Sequence, residues 1–196
     1  MNSFNKILSR LNKIPNINLD RPHYIQPEDS MTYRASRILL ILGCLNTVNG
    51  LSKESLACID FLLKNPFYQC KFIFEYFKET PNLLIKKWSE FSQEELPEAN
   101  LNVMQYKNIP WDLRFNDIFM FLYSRKLIEF VGREKKRATI TKEGIKIYIS
   151  LSNIFIIEKK FISIFGKRMQ EEKLKEIITE VIPDSYWRRN EKVIYQ

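Results

Sequence analysis

The stretch from Trp111 to Tyr148 reads WDLRFNDIFMFLYSRKLIEFVGREKKRATITKEGIKIY, and its pattern decides the fold. Leu113, Ile118, Phe119, Phe121, Leu122 and Leu127 recur at helical spacing, which predicts a helix over about Asp112 to Lys126. Ile128-Glu129-Phe130-Val131 is β-prone, Gly132-Arg133-Glu134-Lys135-Lys136 makes a charged turn, and Arg137-Ala138-Thr139-Ile140 reads as a returning strand. Thr141-Lys142-Glu143-Gly144 then opens a helix that carries Ile145, Ile147, Tyr148 and Ile149. Helix, short strand, basic turn, short strand, helix is the order of a winged helix, here placed at 111–150. The expected fold class is therefore mainly α with a small β-hairpin, winged-helix-like, built as one compact domain or as two small lobes.

Upstream of this segment the pattern is helical. A core helix is predicted from Met31 to about Asn46, because Ile38-Leu39-Leu40-Ile41-Leu42 is apolar nearly all round. Glu28-Asp29-Ser30 suits its N-terminus, and Asn49-Gly50 signals a turn after it. Ser52 caps a second helix over Lys53 to Lys64, with Ser55 where a capping box would place Glu. Asn65-Pro66 ends that helix. Residues 66–96 form one or two aromatic-rich helices around Pro81, and 92–110 read as an acidic loop, which closes a helical lobe at 31–110. Residues 1–30 are an arm, in which Phe4, Ile7, Leu8 and Leu11 have helical spacing before Pro15, Pro22 and Pro27 break the pattern. Residues 151–196 are expected to hold an amphipathic helix over 155–182, with an interruption at Gly166 and an end at Pro183, and then an extended tail.

Composition narrows the function classes. Five glycines leave little for phosphate-cradling loops, and neither a GxxxxGK[ST] loop nor a GxSxG motif is present. Cys44, Cys58 and Cys70 are odd in number and form no CxxC pair, so buried thiols in a reducing cytoplasm are expected. His23 is the only histidine, and it has no neighbouring nucleophile or metal-ligand set. No secretory signal is read at the N-terminus, and the apolar run at 38–42 is too short to span a bilayer. No catalytic, cofactor-binding or metal-binding residues are assigned, and no enzyme activity, cofactor or membrane partner is expected.

The net charge of +8 suits an anionic partner or a solvated surface. Arg133, Lys135, Lys136 and Arg137 on the wing are candidate non-specific DNA contacts, since wings grip phosphates while the preceding helix enters a groove. The outward residues of that helix, Arg114, Asn116, Asp117, Ser124 and Arg125, are not strongly basic. Glu134-Lys135-Lys136 also matches the ExK ending of many nucleases, with Asp112 or Asp117 as an upstream metal ligand, but a polar turn is a poor place for that chemistry. Arg34 and Arg37, with Asp60 on the next helix, form either a structural ion pair or a contact to an acidic or nucleotide-bearing partner.

The strings Tyr33-Arg34-Ala35-Ser36-Arg37-Ile38-Leu39-Leu40-Ile41-Leu42, Gly50-Leu51 and Ile59-Asp60-Phe61-Leu62-Leu63-Lys64-Asn65-Pro66-Phe67 resemble the middle components of ABC-three-component systems, including the middle subunit of Lamassu anti-phage systems. The likeness covers about residues 21–68. It implies an accessory protein, without catalytic residues of its own, that bridges an SMC- or Rad50-like ABC ATPase and an effector, often a nuclease, in bacterial defence against phage or plasmids. The expected function is accordingly a scaffold subunit of a DNA-binding complex. The alternative is a winged-helix DNA-binding regulator of transcription.

Overall fold

The computed structural model describes residues 30–47, 49–91, 103–134, 136–166 and 169–187, with the backbone alone at 88–91. The N-terminal arm, Lys135 and the last nine residues, 188–196, therefore lie outside the described residues.

The chain opens on α1, Met31–Leu45. The Ser30 side chain accepts from the Tyr33 amide at 3.3 Å, and Asn46 closes the helix in the left-handed region at φ 32°. Ile38, Leu39, Leu40 and Ile41 are each at most 1% exposed, so α1 is the central core helix that its sequence predicts. Gly50, at φ +66°, admits the chain close to Ala138: a Cβ there would stand 2.6 Å from the Ala138 carbonyl oxygen. Strand β1, Leu51–Ser52, follows, and then α2, Lys53–Lys64, and α3, Pro66–Phe77. Helix α4, Pro81–Phe91, packs on α3.

Residues 103–112 are not the loop that their prolines suggest. Strands β2, Val103–Tyr106, and β3, Ile109–Asp112, pair antiparallel around Lys107-Asn108. Those two residues have φ 49° and 63°, the positive pair that a two-residue type I′ hairpin requires. Asp112 thus ends a strand, and α5 begins three residues later, at Phe115, and runs to Ser124. Strands β4, Ile128–Val131, and β5, Arg137–Ile140, fall where the alternation places them, and α6, Lys142–Ile154, follows.

The three-stranded sheet has the order β1-β5-β4, with Leu51 opposite Ala138 and Ile128 opposite Ile140. Strand β1 lies between α1 and α2 in the chain, so the wing hairpin is completed by a strand from some ninety residues earlier. The winged-helix arrangement therefore begins at α1 and not at residue 111. Helix α3, helix α4 and the β2–β3 hairpin sit as an insertion between α2 and α5. The expected boundary at 110 falls inside β3, and the one at 150 falls inside α6. One cluster of buried side chains runs from Ala35 to Trp187, with partly buried residues of α4 and α6 packed against it.

The helix expected over 155–182, with an interruption at Gly166, is two helices. Helix α7, Ile156–Ile162, leads into a 3-10 turn, Ser163–Phe165, and Gly166 at φ +62° breaks the path before α8, Glu171–Val181. Leu174, Ile177, Ile178 and Val181 form the buried stripe by which α8 packs on α2 and α3. The segment after Pro183 is not extended at its start. Residues 184–187 make a helical turn that buries Tyr186 and Trp187 against Phe61, with ring centroids 5.7 and 6.4 Å away.

Candidate functional site

Two places gather the residues that the sequence singles out: a buried charge network and the outer face of the wing with α5. The network begins with Arg34 and Arg37, one turn apart on α1. Arg37 Nε donates to Asp60 Oδ1 at 2.9 Å, and its guanidinium also lies 5.1 Å from the Tyr33 ring centroid. Lys64, one turn beyond Asp60 on α2, reaches Asp60 Oδ2 at 2.8 Å and Asp112 Oδ2 at 3.0 Å. Arg34 pairs with Asp112 and not with Asp60. Its Nη2 lies against Asp112 Oδ2 out of line for a hydrogen bond, and its Nε has no hydrogen-bond partner among the described residues.

Three cations and two carboxylates thus tie α1, α2 and β3 together away from water. Burial opposes the Asp60 charge, but Arg37 and Lys64 outweigh it and hold the carboxyl down at about 2. Asp112 is also held below the ordinary carboxylate range: burial works against it, while Lys64, the Arg114 amide at 2.9 Å and Arg34 favour its charge. The side chains of Arg34 and Arg37 are only 5% and 3% exposed. The ion-pair reading of Arg34, Arg37 and Asp60 is therefore the one with geometry behind it, since no acidic or nucleotide partner can reach these guanidiniums from solvent.

The three described basic residues of the wing do not act alike, and Lys135 lies outside the described residues. Arg133 and Lys136 are exposed, and Lys136 pairs with Glu134 in solvent. Arg137 is bonded back onto the fold, although its side chain stays 37% exposed. Its Nε donates to the Asn49 carbonyl and its Nη2 to the Gly50 carbonyl, both at 2.9 Å, and Nη2 also pairs with Glu171. Glu171 is a hub that sequence reasoning missed. Its Oε2 accepts from the Ser52 amide at 3.1 Å, from Ser52 Oγ at 2.5 Å and from Ser55 Oγ at 2.6 Å. It thereby supplies, from 119 residues away, the carboxylate that the α2 capping box lacks. Burial penalises this carboxylate, and the two serines and Arg137 still hold it below its ordinary range.

The outer face of α5 would enter a groove if this were a DNA reader. It displays Asn116, Asp117, Met120, Tyr123 and Ser124, with Leu113 just before the helix. Leu113 is 56% exposed, Met120 59% and Tyr123 49%. The flanking cations are Arg114 and Arg125, and Arg125 lies over the Phe121 ring at 4.5 Å. Such a face offers apolar area and a carboxylate where phosphate recognition needs cations and donors.

The nuclease triplet is not assembled. Glu134 is at the exposed turn, Asp112 is committed to Arg34 and Lys64, and Asp117 is exposed on α5. Among the described residues no group of three or more His, Cys, Asp or Glu stands together as a metal site, and His23 lies outside them. The three cysteines are free thiols. Burial pushes the Cys58 thiol far up, and it raises Cys44 despite a hydrogen bond with Tyr148. No helix among the described residues is long and apolar enough to cross a membrane. No protein-family model, no curated protein and no solved structure matches this chain.

Proposed function

We propose that this chain is a non-catalytic scaffold subunit that joins an SMC- or Rad50-like ABC ATPase to an effector, a nuclease, in bacterial anti-phage or anti-plasmid defence. The observation that carries the binding-subunit reading is the outer side of α5 and the residues before it, where Leu113, Met120 and Tyr123 are exposed along with Asp117. Exposed aromatic, Met and Leu side chains suit a protein partner better than a polyanion. The identity of the partners rests on the resemblance of residues 21–68 to the middle components of ABC-three-component systems. Free thiols suit a reducing compartment, and the cytoplasm is the proposed location.

The test is reconstitution with the ABC ATPase and the effector encoded beside this chain. A stable three-protein complex is expected, and Met120→Glu with Tyr123→Glu should release one partner without changing the melting temperature of the isolated subunit. A chain that ignores both proteins would overturn the proposal. The second reading, a transcriptional regulator, draws on the wing, where Arg133 and Lys136 face solvent. It requires selection of one operator over random DNA by a factor of about a thousand or more. Selection from a random DNA pool that yields no consensus removes it.

A further inference from the structure

Helices α1, α5 and α6 leave a cleft of about 210 Å³ between them. Ala35 and Leu39 of α1, Phe121 and Leu122 of α5, Leu127 after it and Ile147 of α6 line it with apolar carbon. Thr32 and Ser36 continue the α1 side towards the start of that helix. Arg125 stands on the α5 side, over the Phe121 ring. Ile147 is 41% exposed, so an apolar wall of the cleft meets water. The volume falls below the roughly 300 Å³ at which small-molecule sites begin. Such a cleft suits the anchoring side chains of a peptide segment laid across it.

We propose that this cleft receives residues 4–11 of the same chain, with Phe4, Ile7, Leu8 and Leu11 against its apolar wall. That segment lies outside the described residues, and its connection to the cleft selects it. Residues 4–29 join the described fold at Ser30, and Thr32, on the cleft wall, is two positions further on. Residues 12–29 extend to about 60 Å at most, so the tether is long enough for residues 4–11 to reach the cleft. Tethering also gives the segment an effective concentration on the order of millimolar, which a free partner has to supply from solution. The pattern of the segment agrees with the site. Phe4, Ile7, Leu8 and Leu11 fall on one helical face, and from Phe4 to Leu11 is as many positions as from Thr32 to Leu39, about 10 Å of helix in each case. Lys6, Arg10 and Lys13 fall on the opposite side of that pattern, which keeps their charges in solvent and away from Arg125. The docking asks nothing of the proposed ATPase or effector, and its failure leaves that reading where it stands.

The test is photo-crosslinking in the full chain carrying Phe4→benzoylphenylalanine. Ordinary and heavy-isotope-labelled chains are mixed in equal amounts and irradiated, and the linked peptides are mapped by mass spectrometry. The expected product joins position 4 to the α1, α5 or α6 wall of the cleft within one chain. Ile147→Asp should cut its yield by about tenfold or more, because a carboxylate there would have to shed water against the docked face. Ile149→Asp, also exposed on α6 but not lining the cleft, should leave the yield unchanged. Both variants should keep the parent melting temperature, since both side chains already meet water. Leu8→Ser with Leu11→Ser should lower the yield from the side of the segment. Links scattered over other surfaces, links of mixed isotope that place the segment on a second copy, a yield that Ile147→Asp does not change, or no link at all would each overturn the proposal.

Discussion

Asp60→Asn tests the buried network at its centre. The substitution keeps shape and volume and removes only the charge, so no cavity forms. Asp60 receives Arg37 at 2.9 Å and Lys64 at 2.8 Å, and its side chain is 4% exposed. An amide in its place offers its carbonyl oxygen to one cation, turns an N–H donor toward the other, which cannot accept, and removes the negative charge that both face, although Lys64 keeps Asp112. Breaking a buried pair from one side costs about 3–5 kcal/mol. For a chain of this size each kcal/mol lowers the melting temperature by about 2–4 °C, so a fall of roughly 6–20 °C is expected. The pH dependence gives a second measure. The folded-state value for Asp60 is about 2, below the ordinary 3.8, so its contribution is full above about pH 4 and is lost as pH falls toward 2. That gap corresponds to about 2 kcal/mol. Urea unfolding followed by circular dichroism at pH 7, and again between pH 4 and pH 2, reads both quantities. Asp112 and Glu171 also lose their charge in acid, so the comparison is the difference between variant and parent. A variant within about 1 kcal/mol of the parent, with the same loss of stability in acid, would refute a network that holds α1 to α2.

Three further outcomes follow from the same geometry. Glu171→Gln should cost about 1–3 kcal/mol, because Ser52, Ser55 and Arg137 all bond one carboxylate, and thermal unfolding of the variant should lose part of its pH dependence below the ordinary glutamate range. Gly144→Ala should destabilise by about 1–3 kcal/mol, since its Cβ would stand 2.2 Å from the Leu127 carbonyl oxygen and the backbone there cannot yield cheaply; calorimetry showing no change would place α6 wrongly. Arg133→Glu with Lys136→Glu should leave the melting temperature unchanged, because both side chains are exposed, and should flatten the log–log salt dependence of any DNA binding by about two units in a labelled-DNA titration.

The elements that are legible in the sequence are those whose signals are local. Helix α2 spans Lys53–Lys64 and the wing strands span 128–131 and 137–140, where period, Asn65-Pro66 and Gly132 mark them. Strand β1 is not legible, because two residues carry no period and its identity as a strand comes only from pairing with β5. The β2–β3 hairpin hides for a different reason. Lys107-Asn108 is a weaker turn signal than Asn-Gly, and Pro110 reads as a breaker, yet a two-stranded hairpin tolerates it opposite Gln105. That error carries into the site. With Asp112 assigned to a helix, the partner of Arg34 could not be found, whereas the Arg37–Asp60 pair follows from two neighbouring helices alone.

The wing shows why a basic run does not identify a ligand. Arg133, Lys136 and Arg137 lie within five positions and are alike in composition, but β5 pairing with β1 carries Arg137 to Asn49, Gly50 and Glu171. Its donors fasten the wing to α8, which leaves a smaller basic surface than the sequence suggests. The same sheet orients α5, and what α5 turns outward is Leu113, Asp117, Met120 and Tyr123. A DNA-reading winged helix needs cations on both the wing and the helix, because the wing positions and the helix specifies. Here, among the described residues, the wing displays Arg133 and Lys136, and the helix presents Met120 and Tyr123 together with Asp117. Both features leave few cations for phosphate among the described residues, and the second is the one on which the proposed protein-partner reading rests.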